Sequence, residues 1–194
     1  MLGRKILIYG SIGSGKTTFS REIFSGLPLL ELDEINWNLI EPGNSGYIEL
    51  KKIISAEYFD DDGHVNKKTL KVDLFNDNGL REKIENILHP LIFDELNKFI
   101  KGKDSYVVIS PLVKTVLQKI KFDLKIKVVC NTNLQIKRVE SRDNLEKNII
   151  KKIIVYQENN YELVQPDFIF DSAGDLEVQL IKLKNILWLM LNFQ

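Results

Sequence analysis

The sequence predicts an α/β protein whose parallel sheet is covered by helices on both faces. Short apolar runs alternate along the chain with longer stretches in which apolar residues recur at helical spacing. Because strands buried on both faces read as continuous apolar runs, this alternation is typical of a parallel sheet. The length of 194 residues and the hydrophobic content of 44% are sufficient for one domain with a full core.

Five apolar runs are predicted to form the strands of this sheet. Each run is followed directly by glycine or by a polar residue, which is typical of a buried strand that ends at a loop. The predicted strands are residues 5–9, 29–32, 106–109, 126–130 and 168–170.

Helical spacing of apolar residues predicts the elements between the strands. The predicted helices are residues 18–24, 47–58, 67–75, 80–100, 113–120, 134–142, 145–156 and 176–191. A further helix begins near Asp33, whose side chain is in a position to cap it. Residues 36–99 are nearly all helical and interrupt the alternation. We therefore expect a single domain over residues 1–194, with a core at about 1–35 and 104–194, a helical insert at about 36–103 and a small helical lid at about 137–165.

The charge balance and the cysteine content exclude several functional classes. Lys+Arg 27 against Asp+Glu 27 gives no net charge, so no overall field recruits nucleic acid or an anionic membrane. The single Cys130 excludes an internal disulfide, and the first apolar run is too short for a signal peptide. We expect a cytoplasmic protein, a monomer or weak homo-oligomer, without a nucleic-acid or membrane partner.

A glycine-rich run follows the first predicted strand. Residues 10–17 read GSIGSGKT and fit the pattern G-x-x-x-x-G-K-[ST] of a P-loop. Glycines let the backbone wrap closely around a phosphate, and consecutive N–H groups then point inward. In such a loop Lys16 reaches the β- and γ-phosphates, and the Thr17 hydroxyl binds Mg²⁺. The run lies between a predicted strand and a predicted helix, so the sequence predicts a nucleoside triphosphate site.

Two carboxylates follow the second predicted strand. Glu31 and Asp33 lie at a strand end that shares its sheet edge with the P-loop, whereas the later strands end at Ser110 and Cys130. A carboxylate at this edge can orient or deprotonate an acceptor hydroxyl, or hold a water bound to Mg²⁺. The alternative is that Asp33 only caps the following helix.

The chain resembles the dephospho-CoA kinase family in several short segments that occur in the order found in that family. The resemblance extends over roughly residues 3–191. The segments are residues 11–16 (SIGSGK), 31–33 (ELD), 41–43 (EPG), 62–70 (DGHVNKKTL), 89–92 (HPLI), 138–143 (RVESRD) and 166–171 (PDFIFD).

The resemblance implies a P-loop nucleoside-kinase-like fold, in which the insert binds the acceptor and the lid closes over the phosphates. It implies transfer of the γ-phosphoryl group of ATP, with Mg²⁺, to the ribose 3′-hydroxyl of dephospho-CoA. In this reading Asp33, Lys16 and Arg142 are catalytic. The acceptor is bound by Glu31, Asp33, Lys67 and His89. The phosphates of ATP are bound by Gly10, Ser11, Ile12, Gly13, Ser14, Gly15, Lys16, Thr17 and Thr18, and Thr17 also contacts the metal.

Some residues differ from the pattern of the family, and they cluster at the acceptor side and the lid. Glu31 stands where the family usually has aspartate, and both Trp37 and Lys67 stand where it has arginine. A lysine supplies a point charge where an arginine supplies a bidentate fork. Residues 157–165, at the end of the lid, lack a basic residue.

Two other functions fit the same residues less completely. The first is a P-loop kinase for another small acceptor, such as a nucleoside or nucleotide. The second is a catalytically weakened relative that only binds ATP. Without the resemblance, His89 is read as a surface histidine beside Pro90, and Arg138 and Arg142 as a solvated helix face.

Overall fold

A single parallel sheet forms the centre of the molecule. The computed structural model describes the backbone of residues 4–192 and the side chains of residues 4–186. Within the described backbone the strands are β1 (Lys5–Tyr9), β2 (Leu29–Glu31), β3 (Tyr106–Ile109), β4 (Leu124–Val129) and β5 (Phe168–Asp171). Their order across the sheet is β2-β3-β1-β4-β5, and every neighbouring pair is parallel. The predicted fold class is therefore confirmed.

Helices fill the connections between the strands. The described helices are α1 (Lys16–Ile23), α2 (Leu32–Leu39), α3 (Ser45–Leu50), α4 (Lys67–Leu74), α5 (Asn78–Ile100), α6 (Val113–Lys119), α7 (Thr132–Asp143), α8 (Lys147–Tyr161) and α9 (Leu176–Asn192). Helices α2 to α5 lie between β2 and β3, where the sequence predicts a helical insert. None of the described helices has the length and apolar character that a membrane crossing requires.

The side chains of β1 alternate between the two faces of the sheet, as the period of a strand requires. Leu7 and Tyr9 belong to a buried cluster with residues of α2, α3 and α5. Ile6 and Ile8 belong to a second cluster, together with Phe19 of α1 and residues of β4 and β5. Both faces of the sheet are therefore covered, and the loops at the carboxyl ends of the strands remain accessible for function.

The predicted helix over residues 47–58 is wrong in its extent. Helix α3 ends at Leu50, and the chain then turns through a short 3₁₀ segment at Ala56–Tyr58. Phe59 pairs with Val65 in an antiparallel bridge, and the Asn66 N–H donates to the Tyr58 carbonyl at 2.8 Å. This pairing between two nearby segments of the chain competes with the helix, and the spacing of apolar residues does not reveal it.

The prediction that Asp33 caps a helix is also wrong. Helix α2 begins at Leu32, so its N-cap position is Glu31, and Asp33 lies in the first turn. Leu32 is buried against the core of the sheet, which brings the start of the helix directly to the end of β2. The Asp33 carboxylate is therefore available for another role.

Candidate active site

The P-loop joins β1 to α1 and has the backbone conformation that its glycines allow. Gly13 and Gly15 have φ angles of +75° and +93°, in the left-handed region that favours glycine. A Cβ atom on Gly13 would lie 2.8 Å from the Gln135 carbonyl oxygen. Gly15 is the N-cap of α1 and has no side chain to cap it, so the first N–H groups of the helix are available to phosphate oxygens.

Neutral side chains of α7 and α8 hold the P-loop in place. The Ile12 N–H donates to Gln157 Oε1 at 2.7 Å, and Gln135 Nε2 donates to Ser11 Oγ at 2.7 Å. The Tyr161 hydroxyl donates to the Gly10 carbonyl at 3.0 Å. Burial, together with the nearby charge of Glu158, raises the pKa of Tyr161, so its hydroxyl remains a donor. The bonds of Gln157 and Tyr161 connect the phosphate loop directly to the predicted lid, and Gln135 lies just before the lid.

The functional side chains of α1 and β2 meet beside the P-loop. Lys16 is buried, and its Nζ lies 3.7 Å from Asp33 Oδ2. The Asp33 side chain is 43% exposed, so it faces a space that another molecule can enter. The Thr17 hydroxyl donates to Glu31 Oε1 at 2.6 Å. The structure thus brings together the lysine, the hydroxyl and both carboxylates that the sequence singles out.

Asp143 holds two cations at the end of α7. Arg142 donates to both of its carboxylate oxygens, at 2.6 and 3.1 Å, and Lys71 Nζ of α4 lies 3.0 Å from it. Burial opposes the charge of Asp143, but the hydrogen bonds and charges of Arg142 and Lys71 lower the pKa of its carboxyl group below the ordinary value. The hydrogen bond with Asp143 also raises the pKa of Arg142, and the more distant charges of Asp33 and Glu31 contribute. The pair therefore stays charged and fixes the Arg142 guanidinium.

Two cavities meet at the P-loop. One, of about 400 Å³, is bounded by the P-loop, Arg138 and residues 170–174, and we refer to it as the donor cavity. The other, of about 500 Å³, is bounded by α2, α4, α5 and α8, and we refer to it as the acceptor cavity. The residues that line both cavities are Gly13, Lys16, Thr17 and Arg142. This arrangement suits the transfer of a group from a molecule in one cavity to a molecule in the other.

The structure distributes the other candidate residues unevenly around these cavities. Asp33, Glu31 and His89 line the acceptor cavity. Burial lowers the pKa of His89, although the charge of Glu85 acts in the opposite direction. The lowered pKa keeps the imidazole neutral near pH 7. Lys67 is not among the lining residues, and its Nζ lies 2.7 Å from Glu41 Oε1. The residues lining the donor cavity include Gly15 and Thr18, and those lining the acceptor cavity include Ile12; Gly10, Ser11 and Ser14 line neither cavity.

A comparison with known protein families identifies the family to which the chain belongs. Residues 5–177 match the model of the family described as "Dephospho-CoA kinase". The chain belongs to the dephospho-CoA kinase family. It is therefore an ATP-dependent kinase that phosphorylates dephospho-CoA in coenzyme A biosynthesis.

Individual dephospho-CoA kinases are similar over most of their length. The chain is 30% identical to the dephospho-CoA kinase of Methylococcus capsulatus over 170 residues, and the match covers 86% of each chain. It is 31% identical to that of Nitrosospira multiformis over 178 residues, again with 86% of each chain covered.

Solved structures show the same fold. The Thermus thermophilus protein TT1252 superposes with a TM-score of 0.73 at 21% identity, with 96% of this chain and 97% of that chain covered. The dephospho-CoA kinase from Campylobacter jejuni superposes with a TM-score of 0.57 at 21% identity, and the match covers 98% of each chain.

Several residues at the site of this family member were missed by the sequence reasoning. Gln135, Gln157 and Tyr161 hold the P-loop, and Arg81 and Tyr156 line the acceptor cavity. Buried Gln135 lies on the core-facing side of α7, and a glutamine there is the signal that could have identified it. No local pattern identifies Arg81, because its partner Tyr156 comes from a distant helix.

Proposed function

We propose that the donor cavity holds ATP, that the acceptor cavity holds dephospho-CoA, and that the γ-phosphoryl group passes to the ribose 3′-hydroxyl between them. The observation that carries this proposal is that the two cavities share Gly13, Lys16, Thr17 and Arg142. A phosphoryl group bound at these residues is within reach of both substrates. Such a reaction depends mainly on positioning and on stabilisation of charge.

Asp33 and Lys16 have complementary roles in this proposal. Asp33 faces the acceptor cavity and accepts the proton of the 3′-hydroxyl as its oxygen forms a bond to the γ-phosphorus. The bond between the γ-phosphorus and its bridging oxygen breaks, and ADP leaves. Lys16 Nζ lies near Asp33 and is placed to stabilise the charge on the transferring group, with Arg142 on the lid side.

Thr17 and Glu31 have the chemistry that a magnesium ion requires. Their side-chain oxygens lie 2.6 Å apart at the mouth of the P-loop, and Mg²⁺ prefers hard oxygen ligands. Within residues 4–186 there is no group of three or more His, Cys, Asp and Glu side chains that could hold a metal by itself. We propose that Thr17 and Glu31 would hold an Mg²⁺ ion that accompanies ATP, and that the ion would supply positive charge to the phosphates there.

We propose that the insert binds the acceptor and that the lid closes over the phosphates. Residues 36–103 form one wall of the acceptor cavity, and residues 137–165 contribute Arg142, Asp143, Ile153, Tyr156 and Gln157 to it. Closure of the lid excludes water, so that ATP is not hydrolysed in place of transfer. The balanced charge supports small-molecule substrates without a nucleic-acid or membrane partner, and the lone Cys130 supports a cytoplasmic location. We further propose that the protein is a monomer or weak homo-oligomer.

The proposal is tested by measuring ADP release with ATP, Mg²⁺ and dephospho-CoA, and by determining the mass of the product. We expect ADP release that depends on dephospho-CoA, with one phosphate added to the acceptor. A parallel panel of nucleosides and nucleotides is the control for acceptor identity. Strong turnover with a nucleoside and none with dephospho-CoA would contradict the proposal.

A further inference from the structure

The cations that line the acceptor cavity are not equally engaged with carboxylates. Lysine and arginine line it at Lys16, Arg21, Lys71, Arg81 and Arg142. All except Arg81 pair with a carboxylate. The pairs are Lys16–Asp33 at 3.7 Å, Arg21 with Glu31 and Glu34 at 3.8 Å, Lys71–Asp143 at 3.0 Å and Arg142–Asp143 at 2.6 Å. Among the described side chains, Arg81 forms no ion pair.

Neutral and aromatic groups hold the Arg81 side chain instead. Its guanidinium carbon lies 4.2 Å from the ring centroid of Tyr156 and 6.0 Å from that of Phe75. NH2 donates to Asn78 Oδ1 at 2.8 Å, and NH1 donates to the Leu74 carbonyl at 3.3 Å. A guanidinium carries more N–H donors than these two bonds use. The plane of the group is therefore fixed while part of its donor edge is free for a ligand.

The aromatic rings that contact Arg81 are themselves held in place. The Tyr156 hydroxyl donates to Glu85 Oε1 at 2.9 Å, and the Phe75 ring packs at 5.6 Å against the edge of Tyr156. Arg81 and Glu85 belong to α5 and Tyr156 belongs to α8, so the guanidinium lies where the insert meets the lid. Held in this way, Arg81 loses little conformational freedom when it binds an anion.

We propose that Arg81 determines acceptor specificity by binding the diphosphate of dephospho-CoA. This inference rests on the proposed function, which places dephospho-CoA in the acceptor cavity with its ribose at Asp33. The acceptor carries a diphosphate between its adenosine and its pantetheine arm, and a planar guanidinium matches phosphate oxygens in bidentate geometry. Arg81 lines the acceptor cavity and is absent from the lining of the donor cavity, so the acceptor diphosphate rather than ATP is its ligand.

The test compares the variants Arg81→Gln and Arg81→Lys with the wild type. We expect Arg81→Gln to raise the KM for dephospho-CoA by about 10- to 100-fold, because a hydrogen bond to a charged group is lost. Arg81→Lys, which keeps the charge but not the fork, should fall between the two. The KM for ATP and kcat should stay within about twofold of the wild-type values, and added salt should raise the acceptor KM of the wild type more than that of Arg81→Gln.

Lys98→Gln is the matched control. It removes a positive charge from the same helix, but Lys98 is exposed, pairs with Glu95 and does not line the cavity. We expect its kinetic constants to equal those of the wild type. Equal loss in Lys98→Gln and Arg81→Gln would assign the effect to overall charge and would overturn the proposal.

Two other results would also overturn it. The first is an unchanged KM for dephospho-CoA in Arg81→Gln. The second is a parallel rise in both KM values with a lower melting temperature, which would show that Arg81 only supports the end of α4 through the Leu74 carbonyl. If the wild type does not phosphorylate dephospho-CoA, the proposed function fails. Calorimetric binding of dephospho-CoA to the wild type and to Arg81→Gln then decides the role of Arg81 separately, with equal affinities contradicting it.

Discussion

The two sides of the cleft bind through different kinds of groups. On the donor side, glycines shape the P-loop, and hydrogen bonds with the neutral side chains of Gln135, Gln157 and Tyr161 hold it in place. On the acceptor side, charged side chains from separate helices neutralise one another, as in the cluster of Lys71, Arg142 and Asp143. A short continuous motif can specify the first kind of site, whereas the second depends on how distant elements pack.

The difference has consequences for how each side responds to conditions. Hydrogen bonds between neutral groups depend little on ionic strength, while partly exposed ion pairs are weakened by salt and by protonation of their carboxylates. The conformation of the P-loop should therefore depend little on salt, whereas acceptor binding and turnover should depend on pH and salt. Substitutions on each side can test this contrast.

Loss of the Asp33 carboxylate should have the largest effect on turnover. Asp33→Ala should lower kcat by about 10²- to 10⁴-fold, because a positioned general base contributes that much. The KM for ATP and the melting temperature should change little, since Asp33 is half exposed and does not cap α2. Glu34→Ala, at the next position and more exposed, is the matched control and should keep its activity. Near-normal turnover in Asp33→Ala would contradict the proposed role.

Gly13→Ala should damage the donor side through geometry alone. The added methyl group would clash with the Gln135 carbonyl, and a displacement of about 1 Å at a phosphate site can cost about 100-fold in kcat/KM. Gly43→Ala is the control, because Gly43 has a similar φ of +88° but open space around its Cβ position. Steady-state kinetics with varied ATP should show the loss only in Gly13→Ala. Equal losses would show that backbone strain, and not the contact with α7, is responsible.

The features predicted correctly from the sequence are local ones. The strands, the P-loop and the carboxylates at the end of β2 lie in continuous segments whose patterns report their structure directly. The groups that hold the P-loop could not be predicted, since Gln157 and Ile12 are 145 residues apart and meet only because α8 packs beside the loop. The same holds for Tyr156 and Glu85, which are 71 residues apart. The false extension of α3 has a different cause, because the bridge between Phe59 and Val65 is close in sequence but leaves no mark on the spacing of apolar residues.

Asp143→Asn should have an intermediate effect, and one that depends on pH. The variant loses the charge that holds Arg142 and Lys71, so we expect kcat/KM to fall about tenfold. The pKa of Asp143 lies below its ordinary value of 3.8 in the folded protein, so its contribution to stability is present above that value and is lost as the pH falls through the folded-state pKa.

Melting temperatures measured from pH 7 downward test this dependence. The wild type should melt higher than Asp143→Asn at pH 7, and the difference should narrow as the pH falls below 3.8. Glu95→Gln, which breaks an exposed pair, is the control and should match the wild type throughout. A difference that stays constant with pH would show that the Asp143 charge does not stabilise the fold.

Lys67→Gln should have the smallest effect. Lys67 pairs with Glu41, and both side chains are more than 40% exposed, so the acceptor KM should change by less than about fivefold. The Lys67 ammonium also lies 5.5 Å from the Trp37 ring, and this contact is lost as well. Kinetics with varied dephospho-CoA give the measurement. A rise in KM as large as that expected for Arg81→Gln would place Lys67 at the acceptor and would contradict the contrast drawn between them.

ATP that is radiolabelled at its γ-phosphate allows the transferred group to be followed directly. We claim that a phosphoryl group held by Gly13, Lys16, Thr17 and Arg142 passes from the donor cavity to the acceptor cavity. With dephospho-CoA and Mg²⁺ present, the label should appear at the 3′ position of coenzyme A, and Asp33→Ala should nearly abolish this transfer. Release of the label only as inorganic phosphate, whether or not dephospho-CoA is present, would contradict the claim.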